Sequence, residues 1–379
     1  LHPAEGILLI APTGRAAKRM AETTGVPAST IHRALGLRQS DEGEISFADE
    51  SVMLDESLII VDEASMMGSI LLNTLLQHIS TSARIVFIGD VDQLPSIEIG
   101  AVLREMIQSC VPVLRLTQTF RQANGSSIIV NAARINTGEK RLAYASDFQL
   151  VEKNTSLEIQ QAAVELYLSL REKYTDDEIS VLSAFRKNTE TGTNSLNLLL
   201  RDVLRPEISE NTPFFERKGL RFYEGDKVMY TRNTQQLTNG DIGTILSVVK
   251  GKEELLVKCS FNGEDIELQD EELSYLDLAY AMTVHKSQGS EQKAVIMIAD
   301  KAHKILLKRN LLYTGVTRAK EVLYLVGQTQ AVDMAIDTLD SVYRRTKLGA
   351  LIDFYCAKFS VSEEAKKEEE MQQQLSFDL

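Results

Sequence analysis

Residues 57–67, SLIIVDEASMM, decide the fold class. An apolar run ends abruptly at two carboxylates, Asp62 and Glu63, and small residues follow. Near-continuous apolar runs are typical of strands in parallel sheets, which helices cover on both faces. A buried strand that delivers two acids to its C-terminal end is suited to holding Mg²⁺ and polarising a water molecule. Because Mg²⁺ in such a site bridges to a phosphate, the sequence should also contain a phosphate-binding element.

The same pattern recurs along the chain. Short apolar runs are each followed by small polar residues and then by a helical pattern. In open parallel sheets the ligand crevice lies outside the carboxyl ends of the strands, so these polar segments should meet at one edge. The sequence therefore predicts an α/β fold of parallel sheets covered by helices. The further runs are GILLIAP (6–12), ARIVFIGD (83–90), VPVLRLT (111–117), ISVLSA (179–184), KAVIMIA (293–299) and EVLYLVG (321–327).

Two segments interrupt this rhythm. Residues 37–56 contain a turn signal between short polar-alternating runs, which predicts a small hairpin insertion. Residues 219–273 contain short β-type runs joined by NG, GK and NGE turns, which predict a small antiparallel barrel inserted into the second α/β domain. The expected organisation is a first domain over 1–150, a second domain over 151–218 and 274–350, and a polar acidic tail over 351–379.

Length and composition set further limits. With 379 residues the chain is long enough for two or three domains. Cys110, Cys259 and Cys356 are scattered without a CxxC pair, which argues against a disulfide framework or a zinc site and fits a reducing cytosol. No apolar run approaches the length of a membrane span, so we expect a cytoplasmic protein with no membrane partner. The net charge of −13 is only weak evidence against nucleic-acid binding, because a basic groove can coexist with an acidic remainder.

The polar residues at the predicted strand ends each allow two interpretations. Asp62 suits Mg²⁺, usually through water, and Glu63 suits the activation of a water molecule, but both would also stabilise the dipole of the next helix. Gln93 in GDVDQLPSI can bond both a water molecule and a phosphate oxygen, although a proline-terminated turn is the simpler interpretation. Arg121 in QTFRQ and Arg318 in YTGVTRAK could each clamp a phosphate in a planar fork, although a lone arginine is more often a surface residue.

Three further segments are rich in hydroxyl groups, predicted helix starts and basic side chains. Such groups hold a phosphodiester backbone without reading bases. His32 and His285 lie in two of these segments, and each is also consistent with a structural histidine. The segments are APTGRAAKR (11–19), STIHR (29–33) and TVHKSQGSE (283–291).

The order of the motifs resembles a known family. Taken together, they are similar to the motifs of superfamily 1 helicases. Residue by residue, they are most similar to the RecD-like branch of superfamily 1B, the exodeoxyribonuclease V alpha-chain family. The resemblance covers most of the chain from Gly6 to Gly327. In chain order the motifs are APTGRAAKR, STIHR, VDEAS, GDVDQLPS, TFRQ, TVHKSQGSE and LLYTGVTRAK.

The resemblance implies two RecA-like domains that close on ATP and Mg²⁺ and step along single-stranded DNA in the 5′→3′ direction, in DNA recombination and repair. By position, Asp62 would bind magnesium, Glu63 would activate water and Gln93 would sense the γ-phosphate. Arg121 and Arg318 would complete the transition-state clamp. Gly289 and Glu291 would join the nucleotide site to the DNA track.

The resemblance also implies a DNA-binding surface and partners. Residues 37–56 lie where relatives carry a pin that parts the duplex, and residues 219–273 lie where they carry an SH3-like domain that grips the strand. The implied partners are single-stranded DNA and duplex forks, with RecBCD-type subunits or a single-strand-binding protein as further partners of a monomeric chain. The implied DNA contacts are Thr13, Gly14, Arg15, Thr30, His32, Thr283, His285, Lys286 and Gln288.

One element of the family pattern is missing. The sequence contains no GxxxxGK[ST] phosphate-binding loop, and APTGRAAK lacks both the first glycine and the Gly-Lys pair of that motif. The loop is expected upstream of the GILLIAP strand, so we expect this chain to be a fragment of a longer helicase. Without backbone amides and a lysine around the β- and γ-phosphates, the chain alone should hydrolyse ATP negligibly.

Two alternatives stay open at this point. The first is a catalytically silent DNA-binding module on a helicase scaffold, although a pure binder would not need Asp62, Glu63, Gln93, Arg121 and Arg318 together. The second is another helicase branch, Pif1-like or relaxase-linked, which the SQGSE and VTRAK segments distinguish poorly.

Overall fold

The strands of the protein form two parallel sheets, one larger antiparallel sheet and two hairpins. The computed structural model describes residues 6–39, 45–47, 52–116, 125–209, 211–234, 236–250, 255–339 and 346–359. The strands are β1 (Ile7–Ala11), β2 (Ala28–Thr30), β3 (Leu37–Gln39), β4 (Ile45–Phe47), β5 (Leu58–Val61), β6 (Arg84–Phe87), β7 (Phe148–Glu152), β8 (Ile179–Ser183), β9 (Phe214–Arg217), β10 (Leu220–Tyr223), β11 (Lys227–Tyr230), β12 (Ile242–Lys250), β13 (Leu255–Phe261), β14 (Glu264–Gln269), β15 (Leu276–Leu278), β16 (Ala281–Thr283), β17 (Gln292–Ala299) and β18 (Ala319–Gly327). The helices are α1 (Gly14–Thr24), α2 (Ile31–Ala34), α3 (Ser69–Gln77), α4 (Val102–Ile107), α5 (Ser127–Thr137), α6 (Ser156–Leu170), α7 (Thr193–Leu204), α8 (Asp270–Leu273), α9 (Arg309–Val316) and α10 (Thr329–Asp337).

The first domain is built on the sheet β2-β1-β5-β6, in which all pairs are parallel. Helix α1 follows β1 directly, because the Thr13 side chain accepts a hydrogen bond from Ala16 N and caps the helix start. Gly25, at φ 69°, ends the same helix in the left-handed conformation. The predicted hairpin in 37–56 is present as the antiparallel pair β3–β4, and its turn lies outside the described residues.

The second domain is built on the sheet β16-β8-β17-β18-β7, which is also parallel throughout. Strand β8 is fully buried, and so is β17 from Ala294 onward, as expected of central strands with helices on both faces. The fold class predicted from the sequence is confirmed.

The structure places the border between the domains differently from the sequence-based estimate at residue 150. Strand β7 straddles that position and pairs with β18 of the second domain. Helix α5 precedes β7, and its buried residues Ile128 and Ile135 share a core with Leu311 and Leu323. The polypeptide therefore enters the second domain before residue 127, because the apolar face of α5 is buried against that domain.

The run VPVLRLT was expected to be a strand, and this expectation is wrong for residues 111–116, which are irregular. Leu114 is 88% exposed and Leu116 is 90% exposed. An apolar run becomes a strand only where a neighbouring strand and a covering layer are available. Residue 117 and those after it, up to 124, lie outside the described part of the chain.

The antiparallel insertion extends beyond the predicted limits of 219–273. Its sheet has the order β14-β13-β12-β11-β15 and so continues to Leu278, and the hairpin β9–β10 precedes it. Its apolar side is continuous with the core of the second domain, since Tyr230 and Phe261 cluster with Tyr167 and Ile179. We call residues 214–278 the insertion.

A buried carboxylate in the insertion gives a pH-dependent prediction. Asp226 is fully buried and accepts hydrogen bonds from Tyr223 N at 2.9 Å and from the Tyr280 hydroxyl at 3.3 Å. Burial raises the pKa of Asp226 to about 6. Between its unfolded pKa and this value the folded chain holds more protons than the unfolded chain, so stability falls as pH rises through that window.

We therefore expect Asp226→Asn to gain stability relative to the parent chain as pH rises from about 4 to about 7, by up to about 3 kcal/mol. An asparagine can keep the bond from Tyr223 N and donate its amide to the Tyr280 oxygen. Urea unfolding at both pH values measures the difference, with Asp55→Asn, an exposed aspartate, as the matched control. A stability difference that does not change with pH would contradict the prediction.

A C-terminal helix over 348–359 packs on the first domain. Gly349 N donates to the Glu105 carboxylate at 3.1 Å, and Cys110 N donates to Asp353 Oδ1 at 2.7 Å. The structure thus brings Cys110 and Cys356 together although they are far apart in sequence, and the hydrogen bond between their thiols raises the pKa of Cys110 to about 11. The rest of the predicted acidic tail, 360–379, lies outside the described residues. Within the described parts of the chain, the helices are too short or too polar to cross a lipid bilayer.

Candidate functional site at the contact between the two domains

The carboxyl end of β5 carries Asp62 and Glu63, as the sequence predicts. Asp62 N donates to Ile10 O at 3.0 Å, and Asp62 Oδ1 accepts from Glu63 N at 2.8 Å. Glu63 has φ 51° and ψ 38°, a left-handed conformation that costs a non-glycine residue about 1 kcal/mol. The bond from Ala64 N to Ile88 O, at 2.8 Å, holds the turn that follows. Local strain of this kind is typical of functional sites.

The loop after β6 packs directly on this turn. Gly89 has no room for a side chain there, because a Cβ atom would lie 3.0 Å from both Ala64 N and Ser65 N. Further along the loop, Ser96 N donates to Ser65 O at 3.0 Å. The loop therefore carries Gln93 beside the strand end that holds the two acids.

Gln93 and Arg318 meet across the contact between the domains. The Arg318 side chain is only 2% exposed, and its Nη2 donates to Gln93 Oε1 at 3.2 Å. Its Nε donates to Thr314 O at 3.0 Å and its Nη1 to Ser290 O at 3.1 Å. Nη2 also donates to the Thr317 hydroxyl at 3.2 Å, so neutral oxygens of both domains fix the orientation of the buried guanidinium.

The loop that carries Gln93 makes further bonds to the second domain. Leu94 N donates to the Thr314 hydroxyl at 2.9 Å, and Leu94 O accepts from Gln288 Nε2 at 3.0 Å. The Tyr313 hydroxyl donates to Asp90 Oδ2 at 2.8 Å. Burial raises the pKa of Tyr313, with the Asp90 charge adding to the effect, so the hydroxyl stays a donor near neutral pH.

The start of α1 contacts both the second domain and the insertion. Arg15 Nη1 donates to Lys286 O at 3.3 Å. A Cβ atom at Gly14 would lie 2.2 Å from Thr238 Cβ, so only glycine permits this approach. Burial lowers the pKa of Arg15 to about 10, and Asp241 opposes the shift, so the guanidinium stays charged at neutral pH.

Thr13 and Gly289 also lie together. Gly289 has φ 72°, and a Cβ atom there would be 3.3 Å from Thr13 Oγ1. The two positions are separated by more than two hundred residues in the sequence, and their roles in DNA and nucleotide binding stay predictions. Thr30 is next to them, because it pairs with Ala11 in the β1–β2 ladder. Its hydroxyl caps α2 by accepting from Arg33 N at 3.1 Å.

His32 and Lys286 are two further residues of this region, and charged groups lie near each of them. Burial lowers the pKa of His32, against the opposing influence of Glu98, so its imidazole is neutral at neutral pH. Lys286 Nζ donates to Asp277 Oδ2 at 3.0 Å, and Arg186 bonds both oxygens of the same carboxylate at 3.0 Å. The two cations and one anion leave a net positive charge beside the start of α1.

Thr283 and His285 complete the second-domain part of the region. The Thr283 hydroxyl accepts from Lys286 N at 3.3 Å, and His285 begins a short 3-10 turn. Gln288 is only 6% exposed, and its amide is engaged with Leu94. Its role as a DNA contact stays a prediction, and its observed contact is with the first domain.

Glu291 forms ion pairs with residues of both domains. It is 2.9 Å from Arg19 of α1 and 3.2 Å from Lys320 of β18. The carboxylate was expected near the nucleotide, and the structure shows it pairing the first helix with the second sheet. Arg121, the other predicted clamp residue, lies outside the described residues.

Several residues of the site were not identified from the sequence. Asp90 lies three residues before Gln93, and its position in the same strand-end segment was the available signal. Four more lie within the quoted motifs, which was the available signal: Arg19, Ser290, Tyr313 and Thr314. Arg186 and Asp277 lie outside those motifs and reach the region from other parts of the chain.

The donor set at the end of β5 fits Mg²⁺. A carboxylate at an open strand end is a hard oxygen ligand of the kind that Mg²⁺ prefers. Within the described ranges, no group of three or more His, Cys, Asp or Glu residues forms a metal cage. A single carboxylate supplies only part of the Mg²⁺ coordination shell, so an ion at Asp62 would need further oxygen ligands.

Family models match three parts of the chain. Residues 3–161 match the AAA domain, residues 196–259 match the ATP-dependent RecD-like DNA helicase SH3 domain, and residues 278–326 match the UvrD-like helicase C-terminal domain. The ATP-dependent RecD2 DNA helicase of Deinococcus radiodurans is 35% identical over 334 residues, covering 86% of this chain and 44% of that protein. The chain belongs to the RecD-like helicase family. The RecBCD enzyme subunit RecD of Mycolicibacterium smegmatis, at 29% identity, is a further RecD-type relative, and the match covers 88% of this chain and 64% of that protein.

Solved structures agree with the RecD-like assignment at the level of the fold. Pif1 helicase from Bacteroides, in complex with ADP-AlF3 and ssDNA, superposes with a TM-score of 0.54 at 18% identity, covering 95% of this chain and 89% of that one. Bacteroides Pif1 bound to ssDNA gives a TM-score of 0.52 at 17% identity, covering 94% and 88%. The two parallel domains are thus RecA-like, and the insertion is the SH3-like domain of this family.

Proposed function

We propose that the chain forms the motor part of an ATP-dependent 5′→3′ DNA helicase that moves on single-stranded DNA in recombination and repair. The family and the named activity of the Deinococcus relative support this proposal. The chain spans 44% of that relative and 64% of the mycobacterial one, so the activity of the whole protein belongs to the proposal. The observation that carries it is the Arg318–Gln93 contact, which joins the two RecA-like domains beside Asp62 and Glu63.

The proposed nucleotide chemistry uses residues from both domains. Asp62 would hold Mg²⁺, and the ion when bound would neutralise charge on the β- and γ-phosphates. Glu63 would orient a water molecule and accept its proton. Gln93 would report the γ-phosphate, and Arg121 with Arg318 would stabilise the charge that develops during transfer.

The proposed DNA track follows the start of α1. Thr13, Gly14 and Arg15 present a helix N-terminus and a cation, which together favour a phosphodiester backbone. Lys286 would add charge from the second domain, where Thr283 and His285 are its neighbours. Thr30 and Gln288 are buried and would act by holding α2 and the loop at Leu94. Because His32 is neutral, it would contact DNA by a hydrogen bond and not by charge.

Gly289 and Glu291 would connect the track to the nucleotide site. Gly289 lies close to Thr13 at the start of α1, since a Cβ atom on it would be 3.3 Å from Thr13 Oγ1, and Glu291 pairs with Arg19 of the same helix. A shift of the second domain would therefore move α1 directly. The proposed substrates are single-stranded DNA and duplex forks. RecBCD-type subunits are the alternative partners, because one relative is named as a RecBCD subunit.

Unwinding polarity tests the proposed function. We expect the protein expressed from its full reading frame to separate a duplex with a 5′ single-stranded tail at least about tenfold faster than one with a 3′ tail. The reaction should require both ATP and Mg²⁺, because in this proposal Asp62 would hold the ion only together with the phosphates. Strand separation is measured as the rise in fluorescence when a fluorophore and a quencher on opposite strands move apart. Addition of EDTA, which removes Mg²⁺, is the metal control.

A chain limited to residues 1–379 is the matched comparison. It lacks the GxxxxGK[ST] loop, so its ATP hydrolysis should be negligible and single-stranded DNA should not stimulate it. Stimulated hydrolysis by this shorter chain would contradict the expectation. Absence of unwinding and of stimulated hydrolysis by the full protein, with DNA binding intact, would favour the silent binding module.

A further inference from the structure

Asp90 links Gln93 to the second domain. Its Oδ2 accepts two hydrogen bonds, one from Gln93 Nε2 at 3.2 Å and one from the Tyr313 hydroxyl at 2.8 Å. Its other oxygen, Oδ1, accepts from Asp92 N at 3.0 Å. With both oxygens engaged, the carboxylate has a fixed orientation, and one atom of it is shared by the two domains.

This sharing determines which way the Gln93 amide faces. A glutamine side chain can present either its oxygen or its nitrogen in a given direction. Arg318 can only donate and the Asp90 carboxylate only accepts, so the Gln93 oxygen must face Arg318 and the nitrogen must face Asp90. Tyr313 and Arg318 both come from the second domain, at α9 and just after it. The orientation of Gln93 therefore depends on the contact between the domains.

We propose that Asp90 and Tyr313 are positioning residues that set the orientation of the Gln93 amide when the two RecA-like domains are in contact. This rests on the proposed function, in which Gln93 reports the γ-phosphate. When the domains separate, Asp90 loses its bond from Tyr313 and Gln93 loses its bond to Arg318. The amide then turns about its side-chain torsions with one partner in place of two. Contact between the two domains therefore sets the orientation of the Gln93 amide.

The two positions should differ in their effect. Tyr313→Phe removes only the donor from the second domain and leaves the Asp90–Gln93 bond in place. Asp90→Asn presents an amide to the Gln93 amide, so two donors can face each other and the orientation is no longer fixed. We expect kcat of DNA-stimulated ATP hydrolysis to fall about tenfold for Tyr313→Phe and more for Asp90→Asn. KM for ATP should stay within about twofold, because the proposal gives both residues a role in orienting Gln93 and none in binding the nucleotide.

A double-mutant cycle separates positioning from a merely structural role. If Tyr313 acts through Gln93, then Tyr313→Phe should lower kcat in the parent protein and have no further effect in a Gln93→Ala background. Asn136→Ala is the matched control. It removes a contact to the same loop, the bond from Asn136 Nδ2 to Asp92 Oδ2 at 2.7 Å, without touching Gln93, and kcat should be unchanged. Equal loss of kcat for Tyr313→Phe in both backgrounds would overturn the proposal.

A second measurement does not need catalysis. Leu94 N is protected by its bond to Thr314, so hydrogen exchange in the peptide that contains residue 94 reports the contact between the domains. Tyr313→Phe should speed this exchange more than Asn136→Ala does. If the parent protein shows no DNA-stimulated hydrolysis, the proposed function fails, and the exchange result alone then upholds or overturns the Asp90–Tyr313 link. Equal exchange in the two variants would overturn it.

Discussion

Replacement of Glu63 by glutamine is expected to lower DNA-stimulated ATP hydrolysis by roughly 10²- to 10⁴-fold in the protein expressed from its full reading frame. Glutamine has the shape of glutamate and can keep its hydrogen bonds, but it cannot accept a proton from water. The left-handed turn at φ 51° holds residue 63 in place whether the side chain is acid or amide. Binding of single-stranded DNA should therefore persist. The measurement is a coupled ATPase assay with a parallel fluorescence-anisotropy titration.

The matched control is Glu22→Gln, the same substitution at an exposed position of α1. It should leave hydrolysis and DNA binding unchanged. If Glu63→Gln keeps more than about a tenth of the parent rate, proton transfer to this carboxylate is not required, and another residue must activate water. A parent protein that already fails to respond to DNA would instead mean that the RecD-like scaffold serves binding alone.

Arg318→Lys is expected to lower kcat by roughly 10³-fold, within the range known for arginines that stabilise a transferring phosphoryl group. Lysine keeps the charge but has a single head group, so it cannot hold Thr314 O, Ser290 O and Gln93 Oε1 at once. The loss should appear in kcat more than in KM, because the clamp acts on charge that develops during transfer. Steady-state ATPase kinetics at saturating DNA measure both.

The control for Arg318→Lys lies at the start of α9, the helix that ends just before Arg318. Arg309 also donates to backbone oxygens, with Nε 2.7 Å from Ile336 O, but it does not touch Gln93. Arg309→Lys should change the melting temperature about as much as Arg318→Lys and leave kcat within a few-fold. Equal losses of kcat in the two variants would show that Arg318 acts by supporting the fold of the second domain.

The local parts of the site could be predicted from the sequence. The near-continuous apolar run before Asp62 is typical of a buried parallel strand, so the position of Asp62 and Glu63 at a strand end was predictable although their roles stay predictions. The antiparallel character of the insertion was also predictable, because alternating runs and NG turns are local signals. The same reasoning was wrong for residues 111–116, since apolar composition does not show whether a partner strand is present.

Contacts between distant parts of the chain could not be predicted. Asp90 and Tyr313 are separated by 223 residues, and their bond depends on how two domains meet. Strand β7 was missed because it is an edge strand with only its first residue fully buried, so its sequence has no continuous apolar run. Cys110 and Cys356 looked scattered for a similar reason, because the helix over 348–359 returns to the first domain.

The close approach of Thr238 to Gly14 has a mechanical consequence. The first domain, the second domain and the insertion are joined pairwise, by Arg318 with Gln93, by Lys227 with Ile179, and by Thr238 with Gly14. Because each of the three parts contacts the other two, no two of them can slide past each other while all three contacts are in place. Any stroke that moves one RecA-like domain past the other must therefore open a joint first. Because the insertion shares a continuous apolar core with the second domain, the contacts to the first domain, at Gln93 and Gly14, are the ones expected to open.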